Sequence, residues 1–219
     1  MILLSHIIDS DTPAYGNRDR FIIEEASRIA DGASANSSKW TFTTNHLGTH
    51  IDMPKHFFDR GLSLTDMPLE FWISDKVQLI NVPCISAKLI EVDDLSHDIY
   101  DETEVLLLRT GYENFRKTDK YWDDNPGLSS KLGFWLRKNS PKLRVVGFDF
   151  ISLTSWKHRT DGKIAHQAFL NPEREGNPIC IIEDMALKNI RTHLNKIIVS
   201  PLFVEKANGS PVTIFGFKG

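Results

Sequence analysis

The chain has little cysteine, no long apolar run and no surplus of either charge. Only Cys84 and Cys180 occur among 219 residues, both in apolar contexts. Without a Cys-x-x-Cys pair there is no thiolate zinc signature. The two read as buried free thiols of a protein in a reducing cytoplasm. No apolar stretch approaches the roughly 20 residues that cross a bilayer, so no membrane partner is expected. The net charge of −3 supplies no basic field for nucleic acid or anionic lipid. The Gly-x-Ser-x-Gly elbow of serine hydrolases is absent, as is the His-Glu-x-x-His helix of zinc proteases. The opening MILLSHIIDSD lacks a basic start and a small-residue cleavage site, so it reads as a first strand and not as a signal peptide.

What remains is an ordinary globular composition, 41% hydrophobic and 25% charged. One domain over 1–219 is expected at this length. Strand-like segments dominate: 2–8, 40–44, 77–82, 104–109, 144–150, 179–184, 196–203 and 212–217. Unbroken apolar runs such as EVLLLR at 104–109 predict strands buried on both faces. Asn208-Gly209 predicts a hairpin turn between the last two strands. A helix is expected over 129–139, where Leu132, Trp135 and Leu136 recur at helical spacing behind a Ser129 cap. Further helical pieces are expected at 185–190 and at 65–69 with Thr65 or Asp66 as cap, and 88–95 reads as a short helix or a loop. Residues 20–29 fit helix or strand, their charges favouring helix. The polar and aromatic segment 112–127 reads as a surface excursion near the site. The sum is one mixed α/β domain, whose topology the periodicity leaves open.

The densest chemistry lies at 46–56, HLGTHIDMPKH, which holds three of the eight histidines and an aspartate. Imidazole and carboxylate together suit zinc, manganese or iron(II). Gly48 and Pro54 argue against a helix here. All four candidates, His46, His50, Asp52 and His56, fall at even positions and would share a strand face. A straight strand would still hold His46 and His50 roughly 13 Å apart. A bend at Gly48 would bring them together. His50 and Asp52 can chelate from extended chain, and Pro54 turns His56 to another angle. The reading is therefore His46, His50 and Asp52 as ligands, with His56 as a proton carrier beside them.

HLGTHIDMPKH resembles the H-x-G-T-H-x-D-x-P-x-H signature of the cyclase family, which includes bacterial kynurenine formamidase and isatin hydrolase, both metal-dependent amide hydrolases. Weaker echoes cover most of the chain: SHIIDSDTPAYG at the start, Arg109-Thr110-Gly111, the Gly-x-Asp-x-x-Ser of 147–152, AHQAFL around His166, and ICIIED ending near Glu183. The resemblance implies a swivelling β/β/α arrangement, a strand at 20–29, and His166 and Glu183 as the remaining metal ligands. It implies one or two divalent ions, zinc before manganese, and a homodimer or homotetramer. The chain departs from the formamidase pattern in the 17-residue step from His166 to Glu183, where NPEREGNP looks like a loop insertion.

Other residues compete for these roles. His158 and His193 are alternatives to His166, but one sits among Lys157 and Arg159 and the other at a polar helix end. His6 reads as a structural histidine. Asp149 fits a site role or a turn cap equally. Glu183 could instead cap the helix expected at 185–190. Phe57, Phe58, Phe71 and Trp72 flank the motif, as core packing or as walls for an aryl amide.

The expected chemistry is hydrolysis of a small linear or cyclic amide, with no nucleic-acid partner. His46, His50 and Asp52 would hold one ion and His166 a second, with Asp52 or Glu183 bridging. Such ions generate hydroxide from a bound water and polarise a carbonyl. His56 would take the nucleophile's proton and deliver it to the leaving nitrogen. Two alternatives stand beside this. His50, Asp52 and His166 also fit the facial triad of a non-haem iron(II) oxygenase, with Arg174 on a co-substrate. A non-catalytic metal-binding member of the fold is the other.

Overall fold

The computed structural model describes residues 1–219. Its strands are β1 (Ile2–Leu3), β2 (Phe21–Ser27), β3 (Ser37–Phe42), β4 (His50–Asp52), β5 (Ile73–Ser74), β6 (Val77–Asn81) and β7 (Leu89–Ile90). They continue as β8 (Val105–Arg109), β9 (Gly127–Leu128), β10 (Val145–Phe148), β11 (Cys180–Glu183), β12 (Leu194–Pro201) and β13 (Gly209–Lys218). The helices are α1 (Lys120–Asp123), α2 (Ser130–Asn139) and α3 (Arg159–Leu170). No helix is long and apolar enough to cross a membrane.

Nine strands form one mixed sheet in the order β5-β12-β13-β4-β11-β10-β8-β6, with β1 paired to β13. Strands β6, β8, β10 and β11 are parallel neighbours, while β4, β12, β13 and β5 join antiparallel. Strand β12 also lies against β6, so the sheet nearly closes. The continuous apolar runs are explained by two cores. In β8, Leu106 and Leu108 enter a cluster shared with α2 and α3, while Val105 and Leu107 enter the cluster on the other face. A strand sends successive side chains to opposite faces, so both faces buried means every position apolar.

Helix α2 starts as expected: the Ser129 hydroxyl accepts the Leu132 amide at 3.1 Å. Within the 20–29 segment, Phe21–Ser27 is a strand, β2, paired with β3 in a separate two-stranded hairpin. Glu24 meets Lys39 across the ladder, so pairing and not helical spacing sets its form.

Several expectations need correction. Residues 185–190 form no helix. The Met185 and Ala186 amides donate to Phe148 and Leu4 carbonyls, and Asp184 turns the chain with φ +54. With the Leu187 and Lys188 amides on the Glu113 carboxylate as well, four successive donors serve long-range partners, and the chain follows these instead of a helical path. Segment 112–127 is not a simple surface excursion, because Tyr112 and Tyr121 are fully buried in the first core. Asn208-Gly209 is not a two-residue hairpin turn: β12 and β13 pair from Pro201 with Val212, across a longer connection. The short turn near 65 is capped by Ser63, whose box partner is Asp66.

The loop 171–178 is held by Arg137. Its buried guanidinium donates to the carbonyls of Ala168, Asn171, Arg174 and Gly176. Gly61 packs with no room to spare, since a Cβ there would lie 2.5 Å from the Pro54 carbonyl carbon and 2.7 Å from the Lys55 nitrogen. Both are backbone atoms of the turn that carries His56. Gly61→Ala is expected to destabilise by about 1–3 kcal/mol through overpacking. Thermal unfolding should register this as a loss of about 2–4 °C per kcal/mol. An unchanged melting temperature would show that the turn adapts freely.

Candidate metal centre

Strand β4 lies inside the sheet, between β13 and β11. His50 and Asp52 point to one face, while Ile51 points to the core. Before β4, Gly48 takes φ +64, the bend that the His46–His50 spacing required. The two imidazole centroids lie 5.2 Å apart, not the span of a straight strand. After β4, a single turn at Pro54–His56 brings the His56 ring to 4.1 Å from the His46 ring. Glu183 ends β11 in register with His50, and His166 projects from α3. All six predicted residues line one cavity of about 300 Å³.

The polar spacings have a specific character. His50 Nε2 lies 3.5 Å from Asp52 Oδ1 and 3.4 Å from Glu183 Oε2. His166 Nε2 lies 3.6 Å from Asp52 Oδ2 and 3.9 Å from Glu183 Oε1. These exceed ordinary hydrogen bonds and lie near the ~3.4 Å edge of a tetrahedron with bonds of about 2.1 Å. Only His46 makes a close contact, Nδ1 to Asp52 Oδ1 at 2.7 Å.

Outer partners aim the rings. His50 Nδ1 is 2.8 Å from the Gly48 carbonyl oxygen, and His166 Nδ1 is 2.9 Å from that of Gly162. A carbonyl only accepts, so each Nδ1 carries hydrogen and each Nε2 faces the cavity. Metal-ligating imidazoles are commonly fixed in this way. Glu183 Oε1 accepts the Leu153 amide at 2.7 Å and the Ser152 hydroxyl at 3.3 Å, leaving Oε2 toward His50. The donor set therefore fits a divalent ion on geometry as well as on residue type.

Asp52 belongs to two groups of ligand atoms lying within 4.8 Å of one another. One is His46, Asp52 and His56; the other is His50, Asp52 and Glu183. The sequence spacing put His46 and His50 together on one ion. The folded chain also sets His50 beside Glu183, through the cross-strand register of β4 and β11.

The electrostatics suit a cation. Burial opposes charge on His50, but Glu183 and Asp52 raise its pKa to about 9. His166 is likewise raised against burial by Asp52 and Glu183. Burial opposes ionisation of Asp52 too, yet the imidazoles, His46 first, hold its carboxyl well below the usual range. His56 goes the other way: burial lowers it to about 4, aided by the charges of His46, His166 and His50. Its Nδ1 is buried without a partner.

The competing candidates fall elsewhere. Asp149 accepts the Thr110 hydroxyl and the Thr110 and Gly111 amides, which makes it a turn cap. His158 and His193 do not line the cavity, and His193 is exposed. His6 faces Asp184, its Nε2 3.9 Å from that carboxylate. Arg174 covers the Phe134 ring at 4.8 Å and is not in the cavity. Of the flanking aromatics only Phe57 lines the cavity, stacked on His166 with centroids 4.5 Å apart. Phe71 and Trp72 pack on each other.

The sequence reading missed Asn208 and Gly209. Gly209 pairs with Asp52 across the sheet, and a Cβ there would sit 2.6 Å from His46 Cε1. Asn208 Oδ1 lies 3.3 Å from His46 Nε2 and accepts from Asn45 at 2.7 Å. The Asn-Gly pair was the visible signal, but it also fits an ordinary turn.

Two outcomes follow. Gly209→Ala should displace the His46 ring and weaken zinc binding by the chain about tenfold or more, the scale of a disturbed ligand environment. Parental affinity would show that His46 is no ligand. His50 must lose its proton to bind a metal, so apparent zinc affinity should rise with pH, about tenfold per unit for each proton displaced. A chelator-competition titration between about pH 6 and about pH 8 reads this, and a flat profile would contradict it.

Comparison with known proteins agrees with this geometry. The sequence profile of the family described as "Putative cyclase" matches residues 2–155. A kynurenine formamidase of Bacillus cereus is 26% identical over 209 residues, covering 95% of this chain and 93% of its own. Cyclase-like protein 3 of Oryza sativa is 27% identical over 220 residues, covering 95% and 76%. Among solved structures, isatin hydrolase A from Labrenzia aggregata superposes with a TM-score of 0.80 at 18% identity, covering 99% of this chain and 93% of that one. A predicted metal-dependent hydrolase from Bacillus stearothermophilus gives 0.73 at 19% identity, covering 100% and 98%. With its profile matched over residues 2–155 of the 219 and its fold shared, the chain belongs to the cyclase family.

Proposed function

We propose that the protein is a metal-dependent hydrolase of a small linear or cyclic amide, similar in reaction to arylformamidases. The observation that carries this is the convergence of His46, His50, Asp52, His166 and Glu183 on one cavity, with His56 beside them. Likeness to kynurenine formamidases over 95% of the chain supports an amide as substrate. Zinc is the ion proposed first and manganese second, because both accept this nitrogen and oxygen donor set.

A bound divalent ion would lower the pKa of a water and polarise the amide carbonyl. The chain's own residues do the rest. Asp52 and Glu183 concentrate negative charge where a cation belongs. The carbonyls of Gly48 and Gly162 keep both Nε2 atoms directed inward. His56, kept neutral near neutral pH by burial and its imidazole neighbours, is free to accept a proton. It then delivers that proton to the leaving nitrogen, without which an amine departs poorly. Phe57 and Tyr15 give the cavity aromatic wall suited to an aryl amide.

The oxygenase reading loses its co-substrate residue, since Arg174 lies outside the cavity. Self-association into a homodimer or homotetramer is also proposed. Its support is the β2–β3 hairpin, which exposes Ile22, Ile23 and Trp40 at 44%, 49% and 67%. Isolated hairpins are marginal in water, so a covering partner would stabilise this one.

His56→Ala should keep its metal and lose turnover by about 10²–10⁴-fold, the usual contribution of a positioned proton carrier. Asp52→Ala should lose metal and turnover together. Full kcat in His56→Ala on an amide the parent hydrolyses would overturn this mechanism.

A further inference from the structure

Next to Glu183 stands a second buried carboxylate that the proposed chemistry does not use. Asp184 is 1% exposed and holds φ +54, a left-handed conformation that few residues other than glycine adopt. Its side chain takes three contacts from Arg116, Nε at 2.9 and 3.2 Å and Nη2 at 2.8 Å. The Tyr121 hydroxyl donates to it at 2.5 Å. Its carbonyl oxygen accepts the Thr49 hydroxyl at 2.5 Å, and its amide donates to Phe150.

These contacts reach both sides of the metal centre. Thr49 precedes His50 directly. Phe150 starts the segment whose Ser152 and Leu153 hold the Glu183 carboxylate. The chain turns at Asp184, so the side chain of Glu183 enters the cavity while that of Asp184 meets Arg116 and Tyr121. A bidentate guanidinium fixes a carboxylate in direction as well as position. Neither Arg116 nor Tyr121 lines the cavity.

We infer that Asp184, clamped by Arg116 and Tyr121, is a positioning residue that sets the Glu183 carboxylate and the His50 imidazole for metal binding. This rests on the metal-centre reading above. The clamp acts at the backbone: it fixes the end of β11 through the Asp184 turn and the start of β4 through Thr49. Without it, the fold could persist while the ligands lose their mutual spacing. Outer partners of metal ligands commonly contribute 10–100-fold to affinity, which sets the expected size.

The test is zinc affinity of the metal-stripped, full-length protein, by chelator competition, well below the unfolding temperature of each variant. Asp184→Asn tolerates the left-handed turn but removes the charge. It is expected to weaken zinc binding about 10–100-fold with the folded circular-dichroism spectrum retained. Tyr121→Phe removes one hydroxyl and serves if Asp184→Asn does not fold; about a threefold to tenfold loss is expected. Lower melting temperature with parental zinc affinity, in whichever of the two folds, would reduce the clamp to a structural ion pair and overturn the inference. Glu183→Gln separates the two levels. If it binds zinc like the parent, the metal-centre reading fails and the clamp with it. If it binds weakly while Asp184→Asn and Tyr121→Phe do not, the clamp alone fails.

Discussion

Two carboxylates, Asp52 and Glu183, are buried side by side at the ends of adjacent strands, and the rest of the site answers that constraint. An uncompensated buried charge costs several kcal/mol, so each must meet cationic or hydrogen-bonding partners. Three imidazoles surround Asp52, and a backbone amide and a hydroxyl hold Glu183. The sheet order makes this compact. Because β4 lies between β13 and β11, residues far apart in sequence arrive at one point. The spacings of 3.4–3.9 Å from His50 and His166 Nε2 to the carboxylate oxygens are wide for direct bonding and suited to an ion between them.

Much of this was legible in the chain because the first cluster is local. Eleven consecutive residues carry His46, His50, Asp52 and His56, and Gly48 announces the bend they need. Continuous apolar runs at β8, β10 and β11 follow from a sheet covered on both faces. The distant pair was different. Nothing in the pattern around His166 or Glu183 tied them to the motif, and only the family resemblance linked the three segments. The grouping of His50 with Glu183 depends on β4–β11 register, which is a tertiary property.

The misreadings share a cause. Residues 185–190 have helical composition but give the amides of Met185, Ala186, Leu187 and Lys188 to distant partners. Asn208-Gly209 looks like a turn and is instead the place where a missing side chain lets His46 approach. Segment 112–127 looks polar, yet it sends Tyr112 and Tyr121 inward and Arg116 to Asp184. In each case a local preference yielded to a long-range contact around the same site. The 171–178 loop, by contrast, is tied down by Arg137 and touches no part of the cavity.

The most direct measurement is the metal content of protein purified without added metal, with hydrolysis of N-formylkynurenine and isatin assayed on the same sample. Zinc or manganese at one or two per chain, with turnover of an amide that stops on chelation, is the predicted result. Iron as the sole activating metal with consumption of oxygen, or a chain that binds no divalent ion at all, would contradict it.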